Sequence, residues 1–268
     1  MKSYFYVLAL LGLTFISANA SGQAGDAFAL GLKGGLSIPS LKAGETENDW
    51  NKDYVSREGV YFALTVEYRL SKYFYFQPEL AYAAEGGKRK GIQPMSIPSE
   101  YLGLFQLAFS TKQDYLYANL NSVSKLNYLQ LPLLFKFQYP IALKGRLQAF
   151  AQVGPYVGYL LISKQEVHSG DLHVYLDGEG KNEIDPDLVH KFFGSDIDTV
   201  IEARDELHRW NVGIQGGIGL AWIFGKNKVF IEGGGNYGFV PVQKSDDHGK
   251  NNIGAATVLI GYLRNIRL

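Results

Sequence analysis

The stretch Val60–Leu70 reads VYFALTVEYRL and alternates almost without a fault between two kinds of residue. If it is a β-strand, every second residue from Val60 onward falls on one apolar face. The opposite face mixes small residues with the charges of Glu67 and Arg69. One strand alone does not tell whether its apolar face points into a protein core or toward lipid, so the rest of the chain must decide which side is inside.

Further blocks of the chain alternate in the same way, and each has at least the length of a tilted membrane-spanning strand, about 9–11 residues. Their even number predicts an all-β fold, an eight-stranded antiparallel up-and-down transmembrane β-barrel. The predicted strands are Phe28–Ile38, Val60–Leu70, Tyr73–Ala84, Asn127–Tyr139, Arg146–Leu161, Trp210–Phe224, Lys228–Phe239 and Asn252–Arg264.

The connections between these blocks alternate in length. Short turns follow the second, fourth and sixth strands, whereas long segments follow the first, third, fifth and seventh. Short turns on one side and long loops on the other are typical of outer-membrane barrels, whose long loops face outward. We name residues 85–126 loop 2 and residues 162–209 loop 3.

Loop 3 is predicted to be partly helical. Asp185 and Pro186 are a capping residue and a first-turn proline, which favour a short helix over residues 187–193. Ser195 favours a second helix over residues 196–207. Loop 2 is rich in Leu, Phe and Tyr, unlike a disordered loop, so we expect loops 2 and 3 to pack on each other or over the barrel mouth. Loops 2 and 3 are also the candidate partner surface, and the alternative is that they pack for stability alone. The residues of loop 3 expected on this surface are Phe192, Phe193, Ile197 and Ile201.

Three features indicate that the apolar rows face lipid. The rows are uniform along the chain, Trp and Tyr lie near the row ends as in an interfacial belt, and an export signal is present. The other face, with its small residues and charges, must then line a narrow interior. We expect those charges to pair and fill the lumen, and the alternative is a charged path for ions. The charges predicted to point inward are Lys33, Glu67, Arg69, Glu79, Lys136, Arg146 and Glu232.

The composition excludes several classes of protein. Lys plus Arg equals Asp plus Glu at 26 each among 268 residues, so no basic excess indicates a nucleic-acid partner. The chain has no Cys, which excludes disulfides and a cysteine nucleophile. Lys2 and the apolar stretch Phe5–Ala18 precede a small-x-small cleavage pattern. We therefore predict a signal peptide over residues 1–20 and an outer-membrane β-barrel domain over residues 21–268.

Motifs for chemistry are weak in this sequence. The glycines of residues 213–219 lie inside an alternating strand and open no helix, so they do not predict a nucleotide loop. Residues 177–181 resemble part of a calcium loop, but Lys181 replaces a ligand. The histidines fall in the predicted outer loops, and no Gly-x-Ser-x-Gly elbow accompanies them. We expect no catalytic residues, no bound cofactor and no metal.

Six segments of the chain resemble the PorT-like family of outer-membrane β-barrel proteins of Gram-negative bacteria. They are GLKGGLSI at Gly31–Ile38, YRLSKYFYFQPELAYAAEGG at Tyr68–Gly87, YLQLPLLFKF at Tyr128–Phe137, VGPYVGYL at Val153–Leu160, GIQGGIGLAW at Gly213–Trp222 and GYL at Gly261–Leu263. The resemblance implies a monomeric barrel in the cell outer membrane and offers no catalytic residues. It also implies a link to type IX protein secretion, which is the process of the namesake member. Loop 3 is longer than in a typical relative.

Two functions of different kinds follow from these patterns. The first is a structural or protein-interaction role, in which a barrel embedded in the outer-membrane bilayer presents loops 2 and 3 to a protein partner, in a secretion assembly by resemblance. The alternative is a narrow pore for ions or small solutes. An enzymatic role, which would need His and Ser of the loops, is not expected.

Overall fold

The computed structural model describes residues 28–44, 48–109, 113–202, 204–245 and 249–266, so the predicted signal peptide, residues 1–20, lies outside the described residues. None of the helices in these ranges is long and apolar enough to cross a membrane. The strands are β1 Phe28–Ala43, β2 Gly59–Arg69, β3 Phe74–Ser96, β4 Tyr115–Ala142, β5 Leu147–Ser169, β6 Val174–Tyr175, β7 Ile197–Ile201, β8 Trp210–Phe224, β9 Asn227–Gly238 and β10 Asn251–Ile266. The helices are α1 Ser99–Ala108 and α2 Pro186–Phe193.

Eight of these strands close into an antiparallel barrel. The order runs β4, β3, β2, β1, β10, β9, β8, β5, and the pairing of β4 with β5 completes the ring. β1 and β10 pair along their whole length, from Phe28 opposite Ile266 to Ala43 opposite Asn251. The predicted eight-stranded barrel is confirmed.

The apolar rows lie on the outer face of the barrel, as predicted. In β2 the side chain of Leu64 is 63% exposed, whereas its neighbour Thr65 is 1% exposed. Trp210 and Trp222 mark the two ends of the apolar row of β8 and are both exposed. They are separated by about 40 Å along a strand at roughly 3.3 Å per residue, and a tilt of about 45° reduces this to about 28 Å. That height matches the hydrocarbon core of a bilayer.

Three strands extend far beyond the predicted bounds, and one of them is the strand predicted over Arg146–Leu161, which continues to Ser169. The strand predicted over Tyr73–Ala84 continues to Ser96, and the strand predicted over Asn127–Tyr139 begins at Tyr115. β3 and β4 remain paired up to Ser96 opposite Tyr115, so most of loop 2 is a raised hairpin that carries α1 at its tip. The outward apolar row ends above the membrane because that face of the hairpin meets water there, and it carries the exposed residues Lys88 and Lys90. The period-two hydrophobic pattern therefore identifies only the membrane-spanning part of each strand, and it does not reveal how far the strand continues above the membrane.

Loop 3 contains one of the two predicted helices. Asp185 caps α2, because its Oδ1 accepts a hydrogen bond from the Asp187 N–H at 3.0 Å, and Pro186 occupies the first turn. The helix predicted over residues 196–207 is wrong. Its first half is the strand β7, which pairs with the end of β5 from Gln165 to Ser169. β7 is rich in β-branched residues, which favour a strand once a partner edge is available.

A second core lies outside the membrane. We name it the outer cap and define it as α1, α2, β6, β7 and the extended ends of β3, β4 and β5. Its buried apolar side chains form one cluster, to which loops 2 and 3 both contribute. The prediction that these loops pack on each other is therefore confirmed. The buried members of the cluster are Ile97, Phe105, Leu116, Ala118, Leu120, Val167, Leu172, Val174, Ile184 and Val189.

Candidate functional site

The centre of the lumen is built around Lys33. Its Nζ lies 2.9 Å from a carboxylate oxygen of Glu79 and 3.2 Å from one of Glu232, and its side chain has no exposed surface. β1 supplies the lysine, while β3 and β9 supply the acids, so the contacts cross the barrel interior. Every second residue of a strand faces the interior, where an unpaired charge would be costly to bury. These charges therefore need partners of opposite sign inside the barrel.

A second group of charges lies closer to the short-turn end. The two oxygens of Glu67 bind different lysines: Lys136 Nζ donates to Oε2 at 3.0 Å, and Lys228 Nζ donates to Oε1. Gln77 joins this group to the first, since its Oε1 accepts from Lys136 at 2.9 Å and its Nε2 donates to Glu79 at 2.7 Å. The interior is thus one continuous polar network rather than separate pairs.

The charges of this network balance, and its side chains are almost fully buried. Two of its members, Glu67 and Lys228, also line a cavity at the short-turn end. We name as the lumen network the residues Lys33, Glu67, Glu79, Lys136, Lys228 and Glu232, which comprise three cations and three carboxylates. Each of these residues is at most 6% exposed. Around Lys136 the rings of Phe150 and Phe230 lie 4.2 and 5.3 Å from its Nζ and fill the remaining space. The network therefore occupies the lumen instead of lining an open channel.

A further buried carboxylate, Glu85, lies nearer the outer cap. Asn236 Nδ2 donates to its Oε1 at 2.8 Å, and Gln130 Nε2 donates to the same oxygen at 3.5 Å. Within the described part of the chain, Glu85 forms no ion pair and its Oε2 has no hydrogen-bond partner. Glu85 thus differs from the lumen network, in which every charge faces an opposite one.

Two predicted members of the network lie elsewhere. Arg69 is the last residue of β2 and is exposed, and its Nε donates to the Ser71 carbonyl at 3.2 Å. Arg146 lies in the turn before β5 and is also exposed. Arg146 precedes the first residue of β5, whereas Arg69 keeps the inward phase of β2 but lies at the rim of the barrel, where water can solvate its charge. Neither residue is therefore part of the buried group of charges. The other predicted residues, Lys33, Glu67, Glu79, Lys136 and Glu232, are brought together.

Lys228, Gln77 and Glu85 were not among the residues predicted to lie in the lumen. Lys228 has the same phase along β9 as Glu232, and Gln77 the same phase along β3 as Glu79, so the alternation itself contained the signal. Glu85 follows the same phase of β3 but lay beyond the predicted end of that strand at Ala84. The omission of Glu85 therefore comes from a strand bound, whereas Lys228 and Gln77 lay within predicted strands on the inward face.

Aromatic rings hold the two loops of the outer cap together. Phe105 of α1 lies with its ring centroid 5.7 Å from that of Phe192 and 5.6 Å from that of Phe193, both on α2. Ile197 also packs against the cap cluster, whereas Ile201 is 47% exposed. Three of the four candidate partner residues thus stabilise the cap itself, and only Ile201 lies fully on its surface.

Polar turns complete the cap. The Asp177 carboxylate accepts hydrogen bonds from the backbone N–H groups of Lys181, Asn182 and Glu179 at 3.1, 2.8 and 2.9 Å. These bonds lower the pKa of the Asp177 carboxyl. The segment that resembles part of a calcium loop is therefore a backbone turn closed by its own aspartate. Among the described residues, no group of three His, Cys, Asp or Glu is arranged to hold a metal ion.

We expect Val189→Ala to loosen the outer cap without unfolding the barrel. Val189 is 1% exposed, and removing its two methyl groups costs about 1.6 kcal/mol at about 0.8 kcal/mol per buried methylene equivalent. Hydrogen exchange of the amides of α2 and β6 is the measurement, and it should become faster than in the wild type. Leu107→Ala is the control, because Leu107 is 85% exposed and its loss should change little. If the amides exchange at the same rate in the two variants, Val189 does not belong to a packed core in the outer cap.

A pH dependence is expected at His173. Its ring nitrogens lie 2.5 Å from Glu183 and 3.1 Å from Asp171, and the hydrogen bond to Glu183, followed by that to Asp171, raises the pKa of His173. Because the pKa of His173 is higher in the folded turn, the protonated ring stabilises the turn below about pH 6.5, which is the pKa in the unfolded state. This stabilisation is lost as the pH rises through the pKa in the folded state. Amides of residues 171–183 should exchange faster at high pH after correction for intrinsic rates. His173→Asn should abolish this difference, and a difference that persists in that variant would refute the assignment.

Comparisons with known proteins agree with this architecture. A family model described as "Outer membrane protein beta-barrel domain" matches residues 18–243, whereas no curated protein matches the chain. Among solved structures, neisserial surface protein A shares 9% identity at a TM-score of 0.39, covering 90% of this chain and 97% of that one. The attachment invasion locus protein Ail of Yersinia pestis shares 12% identity at a TM-score of 0.34, covering 88% and 98%.

The family match spans most of the strands that form the barrel, including the raised hairpin and loop 3. At such low identities and TM-scores the two solved structures carry no argument about this chain. The protein is thus an outer-membrane β-barrel of Gram-negative bacteria, embedded in the lipid bilayer. The chain belongs to the outer membrane protein beta-barrel domain family.

Proposed function

We propose that this barrel has a structural or protein-interaction role, in which a sealed lumen anchors the outer cap and the cap binds a protein partner. The single observation that carries the proposal is the balanced lumen network, whose six charged side chains are buried against one another across the barrel. Because a filled lumen offers no path through the barrel, we place the protein partner on the outer cap. The proposal assigns no enzymatic activity.

The surface of the cap supports a protein partner of partly apolar character. Leu104 and Leu107 of α1 are 56% and 85% exposed, and Val200 and Ile201 of β7 are 57% and 47% exposed. Exposed apolar side chains on a folded segment outside the membrane are a common feature of interaction surfaces. Association with a secretion assembly of type IX is the finer form of the proposal, and it rests on the resemblance to the PorT-like family alone.

The experiment is co-purification from native outer membranes with variants of the cap surface. Leu104→Ser with Leu107→Ser, and separately Val200→Ser with Ile201→Ser, change exposed side chains while they leave the buried cluster intact. At least one double variant should lose a partner that the wild type retains. Lys88→Ser with Lys90→Ser is the matched control, because it alters the outer face of β3 without touching apolar residues.

A deletion tests the role of loop 3 as a whole. Removal of residues 171–207 takes away α2, β6 and β7 and leaves the eight barrel strands. The barrel should still fold in detergent, as judged by a heat-dependent shift in gel mobility, while the partner is lost. If the partner is retained by this deletion and by both surface variants, the cap is not the interaction surface and the proposal fails.

The second candidate function, a narrow pore, has one observation in its favour. A cavity of about 330 Å³ opens at the short-turn end of the barrel. A pore would require this cavity to continue past Lys136 and Lys33, whose side chains are fully buried. We therefore place the pore second.

A further inference from the structure

The cavity at the short-turn end is a vestibule enclosed by all eight barrel strands. It holds about 330 Å³, within the range of small-molecule sites. In outer-membrane barrels the short turns face the periplasm, so the vestibule opens toward that compartment. Its lining comprises Phe28, Ala29, Glu67, Arg69, Lys72, Tyr73, Tyr75, Gln138, Pro140, Gln148, Ile223, Asn227, Lys228 and Asn265.

The vestibule carries an excess of positive charge. Arg69, Lys72 and Lys228 line it together with one carboxylate, Glu67. Both oxygens of that carboxylate are already bound, one by Lys228 and the other by Lys136 deeper in the lumen. Within the described chain, no ion pair involves Arg69 or Lys72, so these two cations face the vestibule without a neutralising partner.

The surrounding turns do not neutralise this charge. The connections of residues 70–73, 140–146 and 225–226 contain Lys and Arg but no Asp or Glu. Asp26, two residues before β1, is the acid nearest in sequence to this end and lies outside the described residues. The chain as a whole has equal numbers of acidic and basic residues, so the basic short-turn end is a local feature and not a consequence of composition.

The side chains are arranged as a group of donors. Arg69 uses its Nε for the Ser71 carbonyl at 3.2 Å, which fixes the guanidinium at the rim. Lys72 Nζ lies 4.9 Å from the centre of the Tyr73 ring, a contact that holds the ammonium beside the opening. Lys228 forms the floor, where it also donates to Gln138 Oε1 at 3.1 Å. Two cations at the rim and one at the floor suit an anion that enters from the periplasm.

We propose that this vestibule binds the phosphoryl group of a small molecule or lipid head group from the periplasmic side, through Arg69, Lys72 and Lys228. A guanidinium presents paired N–H donors to phosphate oxygens, and ammonium groups add charge without a demand on direction. The volume exceeds that of a bare phosphate and leaves room for the carrier of the group. This site lies at the end of the barrel opposite to the outer cap and is independent of the role proposed for it.

The test uses two phosphoryl probes on the refolded full barrel in neutral detergent. Calorimetry measures the Kd of glycerol 3-phosphate, and native mass spectrometry measures retention of phosphatidylglycerol against phosphatidylcholine. Arg69→Gln with Lys72→Gln should weaken the bound probe on the order of tenfold or more, since two charge-assisted hydrogen bonds are lost. Arg69→Lys with Lys72→Arg keeps both charges and should stay close to the wild type.

Lys144→Gln with Arg146→Gln is the matched control, because it removes two charges from the same end of the barrel outside the vestibule. Binding of glycerol 3-phosphate that depends on Arg69 and Lys72, and not on this control pair, supports the site with a soluble ligand. The same dependence seen only for phosphatidylglycerol supports it with a lipid head group. The proposal is overturned if neither probe binds. It is also overturned if Arg69→Gln with Lys72→Gln and Lys144→Gln with Arg146→Gln both fold and lose binding equally.

Discussion

Lys33→Met is expected to destabilise the barrel by about 3–5 kcal/mol, because it leaves two buried carboxylates without their cation. Glu79 and Glu232 lie 2.9 and 3.2 Å from Lys33 Nζ and have almost no access to water. Methionine has a similar volume, so the loss should come from charge and not from a cavity. Denaturant unfolding of the protein folded into phospholipid vesicles measures the change in the free energy of unfolding.

Two variants separate this effect from general damage to the lumen. Lys33→Met combined with Glu79→Gln and Glu232→Gln removes the whole charge group and should recover most of the lost stability. Glu85→Gln removes a buried carboxylate that has no ion-pair partner among the described residues, so it should leave stability unchanged or raise it. A loss below about 1 kcal/mol for Lys33→Met, or no recovery in the triple variant, would contradict the balanced network.

Leu64→Arg is expected to destabilise the barrel by about 2–4 kcal/mol when it is embedded in lipid. Leu64 is 63% exposed, and its neighbours across the sheet are Leu32 and Leu80, which are also exposed. On a water-soluble protein, arginine at such a position would be nearly neutral. At the middle of a bilayer it meets hydrocarbon, and its charge loses its hydration.

Leu70→Arg is the matched control for this prediction. Leu70 is 53% exposed, follows the end of β2 and lies beside the short turn, so an arginine there can reach the interface. Its cost should be about 0–1 kcal/mol, as for a charge near the membrane surface. Unfolding in vesicles of defined thickness gives both values. Equal effects of the two arginines would contradict the placement of the apolar rows in lipid.

Much of the barrel could be predicted because the period of two is set by the geometry of a strand. Every second residue of Val60–Leu70 faces lipid, and the same rule placed Lys33, Glu79 and Glu232 inside. The identity of the partners could not be predicted, because it depends on the register and tilt of strands that are far apart in sequence. Lys33 and Glu232 are 199 residues apart along the chain.

The outer cap was less predictable for a physical reason. Above the membrane the strands no longer separate lipid from lumen, so the apolar rows that marked the strands give way to mixed surfaces. Ile197, Val200 and Ile201 fit one side of a helix as well as they fit a short strand, and only the free edge of β5 decides between the two. Helix α2 was predictable because its capping signal at Asp185 and Pro186 is local.

The roles of individual charges also depended on where strands end. Arg69 has the same phase as Glu67, yet it lies at the rim, where it faces the vestibule and not the packed lumen. A shift of two residues along one strand thus changes a buried structural charge into an accessible one. The alternation alone predicts whether a side chain faces the interior or the lipid, but not how far along the barrel axis it lies.

Single-channel recording tests the central claim, a lumen filled by its own charges, most directly. Purified wild-type protein, refolded and inserted into planar lipid bilayers, should leave the membrane at its baseline conductance. Lys33, Lys136 and Glu67 are bound to partners within the barrel and leave ions no continuous path. Steady and reproducible unitary currents, whose size changes in Lys33→Met, would contradict the account and establish the barrel as a pore.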